Sequence, residues 1–200
     1  MYQWRKLTPD QRSDLLSERE ENLRPWHSVP HRVTANAHAY MFTSACYEHK
    51  THIGFSPRRM KDFEAILTTL AEENTNELIA WVILPNHYHF LSSTTKPLPV
   101  LRKIGKLHGR TSFEWNGEES TRGRKVWSGA AETAMKSEGH YWATINYIHH
   151  NPVRHGYVEK WQEWPYSSAH QYLESIGDEK ARRIWKEYPV KKYGQVWDEL

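Results

Sequence analysis

The stretch that most limits what this chain can fold into is Trp81-Val82-Ile83-Leu84-Pro85-Asn86-His87-Tyr88-His89-Phe90-Leu91. Leu84 precedes a proline and is driven into the extended region. Pro85 presets the first central position of a turn, and Asn86 tolerates the unusual φ that can follow. Two strands therefore meet at Pro85-Asn86. Beyond the turn, His87 and His89 are two apart and share one strand face, while Tyr88 and Phe90 point to the other. Rigid backbone thus presents two imidazoles side by side, which is how a metal site begins. In a chain with 13 His among 200 residues, such a pair is also an ordinary product of alternation. A second group of residues downstream gives it meaning.

Around this hairpin the pattern is mixed. Residues 39–47 alternate as a first strand, with Tyr40, Phe42 and Cys46 set against Met41, Thr43 and Ala45. Ser56-Pro57 caps a helix to about residue 74, whose Met60, Phe63, Ile66, Leu67 and Leu70 form one apolar stripe. Residues 77–84 are a nearly continuous apolar run, as in a central strand. A second helix over 98–115 carries Arg102, Lys103, Lys106 and Arg110. Residues 116–125 are polar and contain Gly117 and Gly123, the pattern of a flexible loop, and Val126-Trp127 is a candidate short final strand. The expected fold class is α+β, an α/β sandwich with a central, mainly antiparallel sheet.

The ends differ from this core. Thr8-Pro9-Asp10-Gln11 starts a largely charged helix with Leu15, Leu16 and Leu23 as its aliphatics, and Arg24 to Pro30 is a linker with two helix breakers. This divides the chain into an N-terminal helical arm and linker (1–30), a central domain (31–175) and a C-terminal tail (176–200), in which residues 180–185 form a basic, helical patch. Cys46 is the single cysteine, which excludes a disulfide framework and fits a reducing cytoplasm. No apolar run is long enough to span a bilayer. The net charge is only +3, but the 10 Trp and 11 Tyr, interleaved with basic residues, suit stacking on unpaired bases as well as they suit a core. Residues 102–125 hold seven Arg or Lys against three Glu, a local charge of +4. This marks either a phosphate-contacting surface or a solvated face.

The second informative stretch is a helix from Gly139 to His150. At about 100° per residue, Tyr141, Trp142, Ile145, Ile148 and His149 cluster on one side, and Tyr147 falls off that stripe. Asn151 lies one turn beyond Tyr147, offset by about 40°. Pro152 is expected to end the helix there.

Leu84-Pro85-Asn86-His87-Tyr88-His89-Phe90-Leu91 together with Tyr147-Ile148-His149-His150-Asn151-Pro152-Val153-Arg154-His155-Gly156-Tyr157-Val158 resembles the REP-associated tyrosine transposases, single-tyrosine members of the HUH endonuclease superfamily. Val126-Trp127 and Trp164-Pro165-Tyr166-Ser167-Ser168 are similar to that family too, and the resemblance covers roughly residues 38–172. Tyr88 is bulkier than the usual residue between the histidines, but it points away from them. The resemblance implies a ferredoxin-like HUH core, with His87, His89 and Asn151 as metal ligands and Mg²⁺ or Mn²⁺ as the ion. Ligand softness alone would nominate Zn²⁺, which stays a possible occupant. It implies Tyr147 as nucleophile on single-stranded DNA, leaving a 5′-phosphotyrosine and a free 3′-OH. A phenol is scarcely ionised at neutral pH, so the ion's service is to the phosphate and His149 or His150 are candidates to help with the proton. The implied partner is single-stranded or hairpin DNA of the repetitive palindromic type, with Arg102, Lys103, Lys106 and Arg110 as candidate phosphate contacts. Two other classes stay open: a hairpin-binding module that does not cut, and a metal-dependent nuclease that uses water. The sequence leaves a monomer and a dimer equally open.

Overall fold

The computed structural model describes Thr8, Asp10, residues 38–190 and Tyr193; apart from Thr8 and Asp10, the expected N-terminal helix and linker lie outside those residues. Among the described residues the elements are β1 (Ala39–Ala45), α1 (Pro57–Asn74), β2 (Glu77–Ile83), β3 (His87–Ser93), α2 (Pro97–Glu118), β4 (Ala131–Ala134), α3 (Glu138–Arg154), α4 (Ala169–Ile176) and α5 (Asp178–Glu187). Short 3₁₀ turns lie at Tyr47–His49, Ile53–Phe55 and Trp161–Glu163. The four strands form one sheet in the order β2-β3-β1-β4, and every neighbouring pair is antiparallel. This strand–helix–strand–strand–helix–strand arrangement is the ferredoxin-like topology. No described helix is long and apolar enough to cross a membrane.

Alternation along the strands sorts the core into two layers. Tyr40, Phe42, Trp81, Ile83, Tyr88 and Phe90 face α1 and α2, where they meet Met60, Phe63, Leu67, Val100, Ile104 and Trp115. Met41, Ala80, Val82, Leu84 and Leu91 face the other way, onto Ile145, Tyr147 and Ile148 of α3. Phe42 sits directly opposite Phe90 in the β1–β3 ladder, and their rings stack with centroids 4.8 Å apart. Such a pair adds about 0.5–1.5 kcal/mol beyond area burial. It also holds the register on which the site depends, because a one-residue slip would turn His87 and His89 to the α1–α2 side.

The helices begin where local chemistry places them. Ser56 caps α1 by accepting from the Arg59 N–H at 3.1 Å, and Ser137 caps α3 by accepting from the His140 N–H at 3.1 Å. Three expectations need correction. Val126-Trp127 is not a strand: Trp127 makes an isolated bridge to Cys46, and its ring stacks on His108 at 4.2 Å. The edge strand is Ala131–Ala134, four residues with little β propensity. Second, α3 does not stop before Pro152 but runs on to Arg154. So near the end the proline removes only its own N–H, and the His155 N–H still reaches the Asn151 carbonyl at 3.1 Å.

Third, residues 116–125 are a cross-linked turn rather than a flexible loop. Buried Arg59 bonds Glu118 and Glu119 at 2.6 and 2.7 Å. Arg124 bonds Glu119 at 2.7 Å, and the Asn116 amide donates to the Arg124 carbonyl at 2.7 Å. Hydrogen bonds from Arg124, then Arg59, hold the Glu119 carboxyl down at about 2. The same pairing lets α2 continue to Glu118.

Candidate active site

β3 is hydrogen-bonded on both sides, by β2 and β1, so its side chains stand on one of the stiffest parts of the sheet. It presents His87 and His89, both buried, to α3, with ring centroids 5.1 Å apart. The turn before it orients the first ring. The Asn86 amide nitrogen donates to the His49 carbonyl at 3.2 Å, which leaves its oxygen facing His87 Nδ1 at 2.7 Å. An oxygen at that place accepts, so Nδ1 carries the proton. Sequence reasoning gave Asn86 only a turn role. The signal available was its position next to the first histidine, since a ligand imidazole commonly donates its other N–H to an amide or carboxylate oxygen.

With Nδ1 protonated, His87 Nε2 turns a lone pair toward Asn151 Oδ1 at 3.0 Å. Two acceptors converging on one point are satisfied by a cation, either a second proton or a metal ion. Asn151 is fully buried, and its Nδ2 has no hydrogen-bond partner. The donor set fits a divalent ion: two imidazoles and one amide oxygen, leaving coordination positions open as in catalytic rather than structural sites. Among the described residues no cluster of three or more His, Cys, Asp or Glu forms a metal cage. The neutral amide oxygen from α3 is therefore what would complete the set.

Tyr147 lies one turn before Asn151 on the same side of α3. Its hydroxyl is 3.3 Å from His89 Nε2. The sequence placed Tyr147 off the apolar stripe, but it is only 1% exposed and belongs to the inner core of this face. The reason is that α3 is covered on more than the sheet side: the Trp161–Glu163 turn and α5 pack on it as well, and residues 144–149 are buried without interruption. The Tyr193 ring packs edge-on against Tyr147 at 5.6 Å, and Arg154 lies over it at 5.9 Å. Tyr193 is itself held by Thr144 Oγ1 at 2.6 Å, His140 Nε2 at 2.7 Å and the Arg154 guanidinium, which donates to its carbonyl at 2.8 Å. The His155 ring stands 4.8 Å from that of His87. Tyr193 was not singled out from sequence, and His155 entered there only within the stretch 147–158 that carries the resemblance, with no role of its own.

The structure thus brings together four of the eight expected site residues. The other four do not join them. Arg102, Lys103, Lys106 and Arg110 are exposed on α2, in the helix layer on the opposite face of the sheet. Lys103, Lys106 and Arg110 border a cleft between α1 and α2, and Arg110 is paired with Glu114 at 3.8 Å.

The fold thus sets two histidines of a central strand against a tyrosine and an asparagine of the covering helix. A family model described as "Transposase IS200 like" matches residues 36–151, more than half of the sequence, and the chain belongs to that family. Within it, the chain is similar to a putative REP-associated tyrosine transposase of Haemophilus influenzae, 28% identical over 131 residues that cover 56% of this chain and 69% of the relative. It is similar to the REP-associated tyrosine transposase of Escherichia coli K12 as well, 28% identical over 122 residues covering 61% and 66%. The chain therefore spans about two thirds of the length of these relatives. A solved REP-associated tyrosine transposase bound to a REP hairpin shares the fold, with a TM-score of 0.56, 21% identity, and coverage of 72% of this chain and 84% of that one.

Proposed function

We propose that this transposase-family protein is a divalent-metal-dependent transesterase that cleaves and rejoins single-stranded DNA flanking a hairpin. The observation that carries the reading is the convergence of Tyr147 on His89 and of Asn151 on His87, from two elements that meet only through the fold. His87, His89 and Asn151 would hold Mg²⁺ or Mn²⁺, with Zn²⁺ as another possible occupant. A bound ion supplies Lewis-acid polarisation of the scissile phosphate.

The protein's own residues do the rest. The Tyr147 oxygen forms a bond to phosphorus while the phosphorus–O3′ bond breaks, and the 3′ oxygen departs as a 3′-OH once it has taken a proton. Tyr147 gives up its own proton and stays joined to the 5′ phosphate. Reversal by a 3′-OH reseals a strand and returns the proton to Tyr147. One phosphodiester replaces another, so no nucleotide cofactor is consumed. Asn86 keeps the His87 ring in the tautomer whose Nε2 lone pair would ligate the ion. The hairpin partner rests on likeness to relatives and on the one solved with a REP hairpin.

The test is incubation of the protein with labelled single-stranded hairpin DNA and Mg²⁺ or Mn²⁺, followed by a denaturing gel. The expected product is a protein–DNA adduct joined through the DNA 5′ phosphate, beside a fragment with a free 3′-OH. Tyr147→Phe should keep DNA binding and lose the adduct, whereas Tyr141→Phe and Tyr166→Phe should retain it. Robust cleavage with no adduct would replace this reading with a water-using nuclease, and binding without cleavage would leave a hairpin-binding module.

A further inference from the structure

A polar row runs along α3. At about 100° per residue, His140, Thr144, Tyr147, Asn151 and Arg154 fall within about 80° of arc. His140 and Thr144 hold the Tyr193 hydroxyl, Tyr147 meets His89 and Asn151 meets His87. Arg154 is the only Arg or Lys among the five. It stands seven residues beyond Tyr147, about 10 Å along the axis. Helical side chains lean toward the N-terminus, and this one reaches back until its guanidinium carbon lies 5.9 Å from the centre of the Tyr147 ring. One of its N–H groups donates to the Tyr193 carbonyl at 2.8 Å, which tethers the guanidinium beside the nucleophile. The group carries five donors in a planar fork that matches phosphate oxygens.

Helix polarity gives a cation at this place a purpose. Tyr147 and Asn151 lie in the C-terminal half of α3, toward the end whose last carbonyls present partial negative charge. A phosphodiester brought to Tyr147 is itself an anion. More negative charge builds on its two non-bridging oxygens as the tyrosine oxygen adds to phosphorus. Imidazoles that ligate are neutral, and the amide of Asn151 is neutral too. With one non-bridging oxygen turned to the set formed by His87, His89 and Asn151, the second is left to a protein donor. Donors aimed at developing charge are worth most where they are fixed in advance, and the tether to Tyr193 fixes this one.

We propose that Arg154 is a further catalytic residue: its guanidinium donates to the second non-bridging oxygen of the scissile phosphate and stabilises the charge that builds there. The inference rests on the transesterase reading for the presence of that phosphate. A residue whose only work was to anchor Tyr193 would occupy the same place. The two roles part on a substrate that lacks the charge.

The test uses hairpin DNA with single-stranded flanks and Mn²⁺. The linkage at which the wild type forms its adduct is either the ordinary phosphodiester or one of the two methylphosphonate diastereomers, in each of which a neutral methyl group replaces one non-bridging oxygen. Adduct formation at saturating DNA is timed for the wild type, Arg154→Gln and Arg154→Lys, and affinity is measured on the same DNA. Arg154→Gln keeps a donor for the Tyr193 carbonyl and removes the charge. On the phosphodiester it should form the adduct about 100-fold more slowly or worse, with affinity for DNA nearly unchanged. On the diastereomer that lacks the oxygen in question the wild type should lose its lead, and the two proteins should react at equal rates. Arg154→Lys, which keeps a charge without the fork, should fall in between and serves for the same comparison where Arg154→Gln melts early. A ratio of wild-type to variant rate that stays the same on both diastereomers would assign Arg154 to anchoring Tyr193 and overturn the proposal. So would an Arg154→Gln protein as fast as the wild type on the phosphodiester. In either case an adduct formed by the wild type leaves the transesterase reading standing, whereas no adduct from the wild type on the phosphodiester removes that reading and the role of Arg154 with it.

Discussion

Asn86 bears on the site through a single atom. Its amide nitrogen is tied to the His49 carbonyl, so its oxygen has one orientation, and that orientation decides where the His87 proton sits. Losing such a partner of a metal-ligating histidine commonly costs 10–100-fold in affinity. We expect Asn86→Ala to weaken Mn²⁺ binding by about that factor in calorimetry, while Asn86→Asp, which keeps an acceptor beside Nδ1, holds affinity near wild type. Equal affinity in the alanine variant would show that the tautomer is fixed elsewhere. His87→Ala and His89→Ala should both abolish cleavage of hairpin DNA with the fold intact by circular dichroism. The two histidines were legible from sequence because strand alternation has a period of two and needs no knowledge of neighbours. The role of Asn86 was not, because it depends on which end of an amide faces a ring.

At the scale of elements, the site is one strand laid against one helix, and the helices on the far side of the sheet have other work. Arg102, Lys103, Lys106 and Arg110 lie there, so any phosphates they meet belong to DNA that continues past the site rather than to the scissile linkage. Binding of single-stranded hairpin DNA should weaken as salt rises, and each charge removed should flatten the slope by about 0.7 if it neutralises a phosphate of a single strand. An unchanged slope across Lys103→Ala, Lys106→Ala and Arg110→Ala would return α2 to an ordinary solvated face. The sequence was a good guide to α1, β2, β3 and α2, whose apolar stripes or runs are long. It was a poor guide to β4, since Ala131-Glu132-Thr133-Ala134 has no run to detect and is a strand only because β1 offers an edge. It also misjudged the setting of Tyr147. A helical wheel divides a helix into an inner and an outer face, whereas α3 is enclosed by the sheet, by α5 and by the Trp161–Glu163 turn.

For the molecule as a whole, two buried histidines make stability depend on pH. His108 stacks on Trp127 and lies 2.9 Å from the Tyr88 hydroxyl. Burial pushes its imidazole down to about 3 and raises the Tyr88 phenol, so the phenol donates to a neutral ring. His149 is likewise lowered to about 3 by burial. Below about pH 6.5 the unfolded chain takes up protons that the folded one refuses. Stability should therefore be level above pH 6.5 and fall between 6.5 and 3, by up to about 1.4 kcal/mol per pH unit for each histidine. Urea titrations at pH 7.5, 6 and 5 measure this, and His108→Gln should start lower and decline less steeply. A metal ion would act in the opposite sense. His87 and Asn151 are 64 positions apart in sequence, and only the folded chain brings them within 3.0 Å. An ion held between them is a clasp fastening α3 to the sheet, and ligand that binds only the native state adds about 2.7 kcal/mol when present at one hundred times its dissociation constant. Saturating Mn²⁺ should then raise the melting temperature by several degrees, at about 2–4 °C per kcal/mol for a chain of this size, and Asn151→Ala should abolish most of the rise. Chelation would in that case loosen the protein as well as silence it.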